Sequence, residues 1–196
     1  MDIVASLIAI VILLPLLLGT AIWIRLDSKG PILFIQRRIG VNDTEFLMYK
    51  FRTMFIGTPE VATDKLTDSQ QYITKIGYYL RKYSIDELPQ LFNVLLGHMS
   101  LVGPRPALYN QYDLRQMRKE VDIHQIRPGV TGWAQVNGRD EISLQEKVHL
   151  DLVYLQQQSL ILDLKILMMT VFSVSSGDGV SKKSVTQSMR QMLEKR

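Results

Sequence analysis

From Ile3 to Ile24 the chain carries no charged residue, and Asp2 and Arg25 bound the run. A stretch of that length suffices to cross a hydrocarbon core about 30 Å thick. Pro15 interrupts the pattern, because it removes a backbone donor and clashes with the preceding turn. The run is therefore expected to divide at Leu14-Pro15 into two arms, rising only about 18 Å and 14 Å if helical. A helix that enters one leaflet, bends and leaves on the same side fits this pattern as well as a kinked span. Gly19-Thr20-Ala21 resembles a signal cleavage site, but the basic leader of a secretory signal is missing before it. The expectation is an uncleaved, membrane-embedded segment.

After the turn Leu26–Pro31, the branched and aromatic run Ile32–Gln36 predicts a strand, and Glu45–Phe51 partly alternates like a second. Asn42-Asp43 supplies a turn between them, so a small β-hairpin is predicted. Thr58–Gln70 is polar and reads as a mobile loop. Tyr72–Tyr83 has helical potential, and the apolar segment Leu91–Leu96 reads as a short helix that Gly97 ends. Ala107–Val121 predicts a helix whose exterior carries Arg115, Arg118, Lys119 and Glu120. Leu144–Gln157 is amphipathic, with Leu144, Val148, Leu152 and Leu155 on one side and Glu146, Lys147 and Asp151 elsewhere. Leu160–Val174 is nearly continuous apolar sequence, short for a span, which suits either a core helix or one lying in the interfacial plane. In the tail, Val185, Met189, Met192 and Leu193 share a helical face among cations, a pattern that suits anionic headgroups.

Composition narrows the classes. The chain has 196 residues, no cysteine and a formal net charge of +4. Disulfide frameworks, thiolate zinc sites and cysteine nucleophiles are thereby excluded. Lys182, Lys183, Arg190, Lys195 and Arg196 against Glu194 account for the whole net charge. No nucleic-acid-binding motif is present, and nucleic acid is not an expected partner. His98, His124 and His149 show no ligand spacing.

The candidate chemistry centres on Ser84-Ile85-Asp86-Glu87-Leu88-Pro89. Proline favours the first turn of a helix, so Asp86 and Glu87 fall at or just before a helix N-terminus. Unpaired N–H groups there help keep a carboxylate ionised. Ser84-x-x-Glu87 also fits a capping box, which needs no further function. Lys50 and Arg52 lie two residues apart, on one face if extended, and fit either a phosphate grip or a solvated strand face. Arg81 precedes the acidic pair, and Pro104-Arg105-Pro106 presents an arginine from a stiff loop. Arg127–Arg139 is rich in glycine, which lets a backbone approach a ligand and can form an anion nest. It is neither a Walker loop nor a dinucleotide fingerprint.

Four ordered stretches, Tyr49–Met54, Ser84–Val94, Leu101–Pro106 and Arg127–Arg139, together with Leu162-Asp163-Leu164-Lys165-Ile166, resemble those of the bacterial sugar transferases, the small monotopic polyprenyl-phosphate phosphoglycosyl transferases. The resemblance covers nearly the whole chain. It departs in the family's Ser-Pro helix break, which is Leu14-Pro15 here, and in the family's basic lead-in, where this chain has Met1-Asp2. The resemblance implies an α+β, mostly helical fold. A Pro-broken re-entrant membrane helix (1–25) precedes a catalytic domain (26–180) and a basic amphipathic tail (181–196), with amphipathic interfacial helices around a membrane-surface active site. It implies that Asp86 attacks a UDP-sugar, releases UMP and passes the phosphosugar to polyprenyl phosphate, with Glu87 beside it. Mg²⁺ would be held by Asp86 and then Glu87, while Arg81, Arg105, Arg127 and Arg139, and less strongly Lys50 and Arg52, would bind phosphate. The implied setting is the cytoplasmic face of a bacterial inner membrane, with membrane lipid as a partner and a homo-oligomer possible.

Overall fold

The computed structural model describes residues 2–58, 69–138 and 142–175. The tail and Arg139 lie outside them, as does most of the expected loop Thr58–Gln70. Helix α1 spans Asp2–Asp27. A hairpin follows, β1 (Leu33–Ile39) and β2 (Glu45–Phe51), antiparallel from Leu33 opposite Phe51 to Ile39 opposite Glu45. Next come α2 (Lys75–Lys82), a 3₁₀ turn at Ile85–Glu87, α3 (Gln90–Leu95) and β3 (Ser100–Val102). The chain continues through α4 (Tyr112–Glu120), β4 (Gly129–Thr131), α5 (Trp133–Val136), α6 (Leu144–Gln157) and α7 (Leu160–Ser175). The fold is mostly helical, with the predicted hairpin in place.

Helix α1 continues through Pro15 as one helix, so Leu14-Pro15 does not separate two helices. Proline deletes one donor and leaves the Val11 carbonyl without its intrahelical partner, but the turns on either side carry the helix past it. One stripe of α1 (Ser6, Ile10, Leu17, Thr20 and Ile24) is buried. Leu17 and Ile24 enter a core with Phe51, Ile76 and Leu80. The remaining surface exposes large apolar side chains, among them Val11, Ile12, Leu18, Ile22 and Trp23. Both ends of α1 bond to the same body: Ser100 Oγ donates to Asp2 Oδ2 at 2.7 Å, and the Ile76 N–H to Asp27 Oδ2 at 3.4 Å. Helix α7 repeats the asymmetry, with Ile166 fully buried while Ile161, Leu164, Val171 and Phe172 are exposed. By length and composition, α1 alone among the described helices is apolar enough to cross a membrane.

Asn42 and Asp43 turn the hairpin with φ of 52° and 62°, a conformation short polar side chains tolerate. Arg115 and Lys119 both pair with the Asp43 carboxylate, at 2.9 and 2.8 Å, and so tie α4 to the hairpin end. The expected helix at Ala107–Val121 starts only at Tyr112. Its charged exterior needs correction too: Arg118 is 7% exposed and points inward.

Gly129 and Gly132 of the Arg127–Arg139 stretch serve backbone packing. A Cβ on Gly129 would collide with the Gly103 amide nitrogen, and one on Gly132 with the Gly103 carbonyl. Their absence lets β3 and β4 pair in parallel, Ser100 with Gly129 and Val102 with Thr131. The pair lies against α7, with Val102, Tyr154 and Ile166 in one core cluster.

Candidate active site

Ser84 adopts the left-handed conformation at φ 51°, ψ 22°, and turns the chain after α2 into the 3₁₀ turn that carries Asp86 and Glu87. Its side chain caps nothing, so the capping box expected at Ser84–Glu87 does not form. Glu87 is engaged elsewhere; the chain's capping box lies at Ser143–Glu146, at the start of α6. Pro89 sits at the N-cap of α3, as its fixed φ allows. Asn93 then fixes α3 against the hairpin. It accepts from the Tyr49 N–H at 2.9 Å and donates to the Leu47 carbonyl at 2.7 Å, satisfying two groups of β2. That staple sets Lys50, one residue past Tyr49, opposite the acidic pair.

Glu87 Oε1 receives two cations, Lys50 Nζ at 2.8 Å and Arg105 Nη2 at 2.9 Å. Burial alone would raise the Glu87 carboxyl, but the charges of Arg105 and Lys50 outweigh it and hold the group well below the usual carboxylate range. Burial pulls the Lys50 ammonium down, against the attraction of Glu87. Asp86 differs from its neighbour. It is 9% exposed, and its pKa is pushed up to about 6, first by burial and further by Glu87, against Lys50, Arg81 and Arg105. The two adjacent carboxylates thus have opposed characters: Glu87 is a permanently charged anchor for cations, and Asp86 titrates close to neutrality.

Both line a cavity of about 330 Å³ with Lys50, Arg81 and Arg105. Arg105 comes from a loop whose carbonyls are all held. Pro104 accepts from the Gly129 N–H, Arg105 from Arg118 Nη1, Pro106 from Arg38 Nη1 and Ala107 from the Ile39 N–H, at 2.8 to 3.0 Å. The stiffness expected of Pro104-Arg105-Pro106 is therefore enforced from outside as well as by its prolines.

Two of the sequence-derived phosphate residues fall elsewhere. Arg52 leaves the strand face it was expected to share with Lys50. It is buried, with its guanidinium on the Ser28 and Lys29 carbonyls at 2.7 Å and on Ser28 Oγ at 2.8 Å, which closes the turn after α1. Phe51 is the last residue of β2, so alternation no longer applies at Arg52. Arg127 is exposed and does not line the cavity.

The cavity also holds residues the sequence pattern passed over. Arg118 and Asp151 form a buried pair, with Nε at 3.1 Å and Nη2 at 2.6 Å from Oδ2. Both had read as surface charges on amphipathic helices. Lys147, one turn before Asp151, lines the same wall. Nothing in a single sequence distinguishes such a buried pair from solvated charges.

For Mg²⁺, the donor set is small. No group of three or more His, Cys, Asp or Glu side chains converges among the described residues. Glu87 Oε1 is taken by Lys50 and Arg105, which makes Asp86 the more available carboxylate. Mg²⁺ commonly binds through one or two carboxylates together with substrate phosphates and water, and Asp86 suits that mode.

The fold and site pair a long apolar N-terminal helix with a cavity that sets cations beside a buried carboxyl. The chain belongs to the bacterial sugar transferase family, whose sequence pattern matches residues 1–177. The UDP-N-acetylgalactosamine-undecaprenyl-phosphate N-acetylgalactosaminephosphotransferase of Aeromonas hydrophila is 40% identical over 185 residues, covering 91% of this chain and 44% of that protein. The undecaprenyl-phosphate glucose phosphotransferase of Komagataeibacter xylinus is 43% identical, over 87% of this chain and 34% of its own length. An uncharacterised sugar transferase of Bacillus subtilis, EpsL, is 44% identical over 85% of this chain and 81% of its own. The chain thus spans less than half the length of the first two relatives.

Proposed function

We infer that this chain transfers a phosphosugar from a UDP-sugar to undecaprenyl phosphate through a covalent intermediate on Asp86. The observation that carries the reading is Asp86 itself, a buried carboxyl with a pKa near 6 at the wall of a cavity shared with Lys50, Arg81 and Arg105. Above that pH it is an anion with little solvation, which makes it a competent nucleophile. The names of the relatives supply the substrate class.

In the first step an Asp86 oxygen attacks the sugar-bearing β-phosphorus. The bond from that phosphorus to the bridging oxygen breaks, UMP leaves with the electron pair, and an acyl phosphate remains. In the second, a phosphate oxygen of the lipid attacks the same phosphorus, gives polyprenyl-diphosphate-sugar and restores the carboxylate. Glu87 holds Lys50 and Arg105 in place, and with Arg81 they offset the charge of the diphosphate. Mg²⁺, held by Asp86 and the diphosphate, would supply further neutralisation of the leaving group.

The same reading sets the site at the cytoplasmic face of a bacterial inner membrane, with α1 as a re-entrant element and the exposed apolar row of α7 against lipid. Support for re-entry comes from the bonds at Asp2 and Asp27, since both ends of α1 reach one domain. Product analysis tests the chemistry: with Mg²⁺, a UDP-sugar and undecaprenyl phosphate, the solubilised protein releases UMP. Release of UDP would indicate direct glycosyl transfer instead, and no nucleotide with any donor would indicate a non-catalytic role.

A further inference from the structure

The cavity lining holds two sets of side chains of opposite hydrogen-bonding character. Around Asp86 and Glu87 stand the cationic donors Lys50, Arg81 and Arg105. The second set comes from β4, α5, α6 and α7, which contribute Thr131, Gln135, Asp151 and Thr170. Here the direction of each bond can be worked out. Thr170 Oγ1 lies 2.8 Å from the Ile166 carbonyl, which can only accept, so the single proton of Thr170 is spent there. Thr131 Oγ1 lies 2.7 Å from Thr170 Oγ1 and must therefore donate to it. Thr131 keeps only lone pairs. Gln135 gives one Nε2 proton to the Val130 carbonyl at 3.0 Å, and its buried Oε1 has no partner among the described residues. Asp151 receives Arg118 on Oδ2 alone. Arg118 joins the two sets, with Nη1 on the Arg105 carbonyl. Lys147, beside Asp151, is a cation among these acceptors and partly offsets the carboxylate.

We propose that this acceptor wall, Thr131 and Gln135 together with Asp151, is the sugar-reading part of the cavity and takes the hydroxyl and amide N–H donors of the transferred sugar. The proposal rests on the UDP-sugar reading above. A diphosphate offers acceptors only and gains nothing against a wall of acceptors. Uracil offers one N–H between two carbonyls and its ribose two hydroxyls, whereas a pyranose offers more donors on one ring, and the UDP arm of the test separates the two. Asp86 and this wall line one cavity, and a sugar linked to the phosphorus attacked by Asp86 must lie in that cavity beside the cations. A site built around such donors discriminates strongly, because a donor lacking the matching group leaves buried acceptors unpaired.

The test uses the full chain in detergent with Asp86→Asn as background, so that bound donor stays intact. Binding of UDP and of a panel of UDP-sugars (glucose, galactose and their N-acetylated amino forms) is measured, with and without Thr131→Val or Gln135→Leu. Each substitution is expected to weaken the best UDP-sugar by roughly tenfold and to compress the ranking among sugars, with UDP itself changed less than about twofold. Equal weakening of UDP and UDP-sugar would overturn the proposal and give the wall to the nucleoside; unchanged binding of both would overturn it outright. Turnover of the unsubstituted chain is scored separately. If that chain binds UDP-sugars but never releases UMP, the transfer reading fails while the sugar-reading wall still stands or falls on the binding data.

Discussion

Arg118 donates through Nη1 to the backbone carbonyl of Arg105 at 2.8 Å while its Nε and Nη2 grip Asp151. One buried side chain thus connects α4, α6 and the loop that aims Arg105 at Glu87. Asp151 is 1% exposed, so removing its partner leaves a buried carboxylate unpaired. Arg118→Ala is expected to destabilise the fold by about 3–5 kcal/mol. Replacing both partners with leucine is expected to restore most of that stability without restoring activity, since the Arg105 carbonyl loses its donor. Denaturation curves and UMP release on the same three proteins check this.

Asp86 links activity to pH. The nucleophile must be ionised, so turnover is expected to rise with pH through about 6 and to level off above it. The measurement is kcat/KM from pH 5 to 8, and a profile flat down to pH 5 would contradict the assignment.

The same shift has a consequence for stability, with the sign fixed by linkage. The folded pKa of Asp86, about 6, lies above its ordinary value of 3.8, so the folded state binds more protons between those limits. Burying the carboxylate costs nothing below about pH 4 and its full amount above pH 6, on the order of 3 kcal/mol. Asp86→Asn is therefore expected to be inactive yet more stable at pH 8, with the gain vanishing near pH 4. Thermal melts at the two pH values decide it.

Glu87→Gln removes the charge on which Lys50 and Arg105 converge. Glu87 raises Asp86, so its loss is expected to shift the acid limb of the pH profile downward while lowering kcat. An upward or absent shift would show that the two carboxyls are not coupled.

Arg52 and Lys50 provide a paired test of what the sequence pattern conflated. Lys50→Ala is expected to cut kcat strongly, with little change in melting temperature. Arg52→Ala is expected to lower the melting temperature by loosening the Ser28–Lys29 turn, leaving the donor KM nearly unchanged.

The hairpin, the 14-residue α6 and the placement of the acidic pair beside a short helix were legible because turn chemistry and hydrophobic periodicity are local. Pro15 does not end α1, because a single missing donor leaves the turns on either side intact. Arg118 and Asp151 were hidden because amphipathic patterns assign charged residues to solvent, and only tertiary packing shows which of them are paired inside. The glycines of the Arg127–Arg139 stretch suggested close approach of backbone to a ligand, whereas what approaches Gly129 and Gly132 is the backbone at Gly103. The reading of Asp86 as more than a capping residue came from resemblance to a family, since Ser84-x-x-Glu87 by itself is ordinary helix grammar.

The central claim is a bond between phosphorus and Asp86. Incubating the chain with a UDP-sugar but no lipid acceptor, then digesting it for mass spectrometry, reads that bond directly. The account predicts a phosphosugar mass on the peptide containing Asp86, discharged on adding undecaprenyl phosphate and absent from Asp86→Asn. A preparation that releases UMP yet never carries that mass, or carries it on another residue, would contradict it.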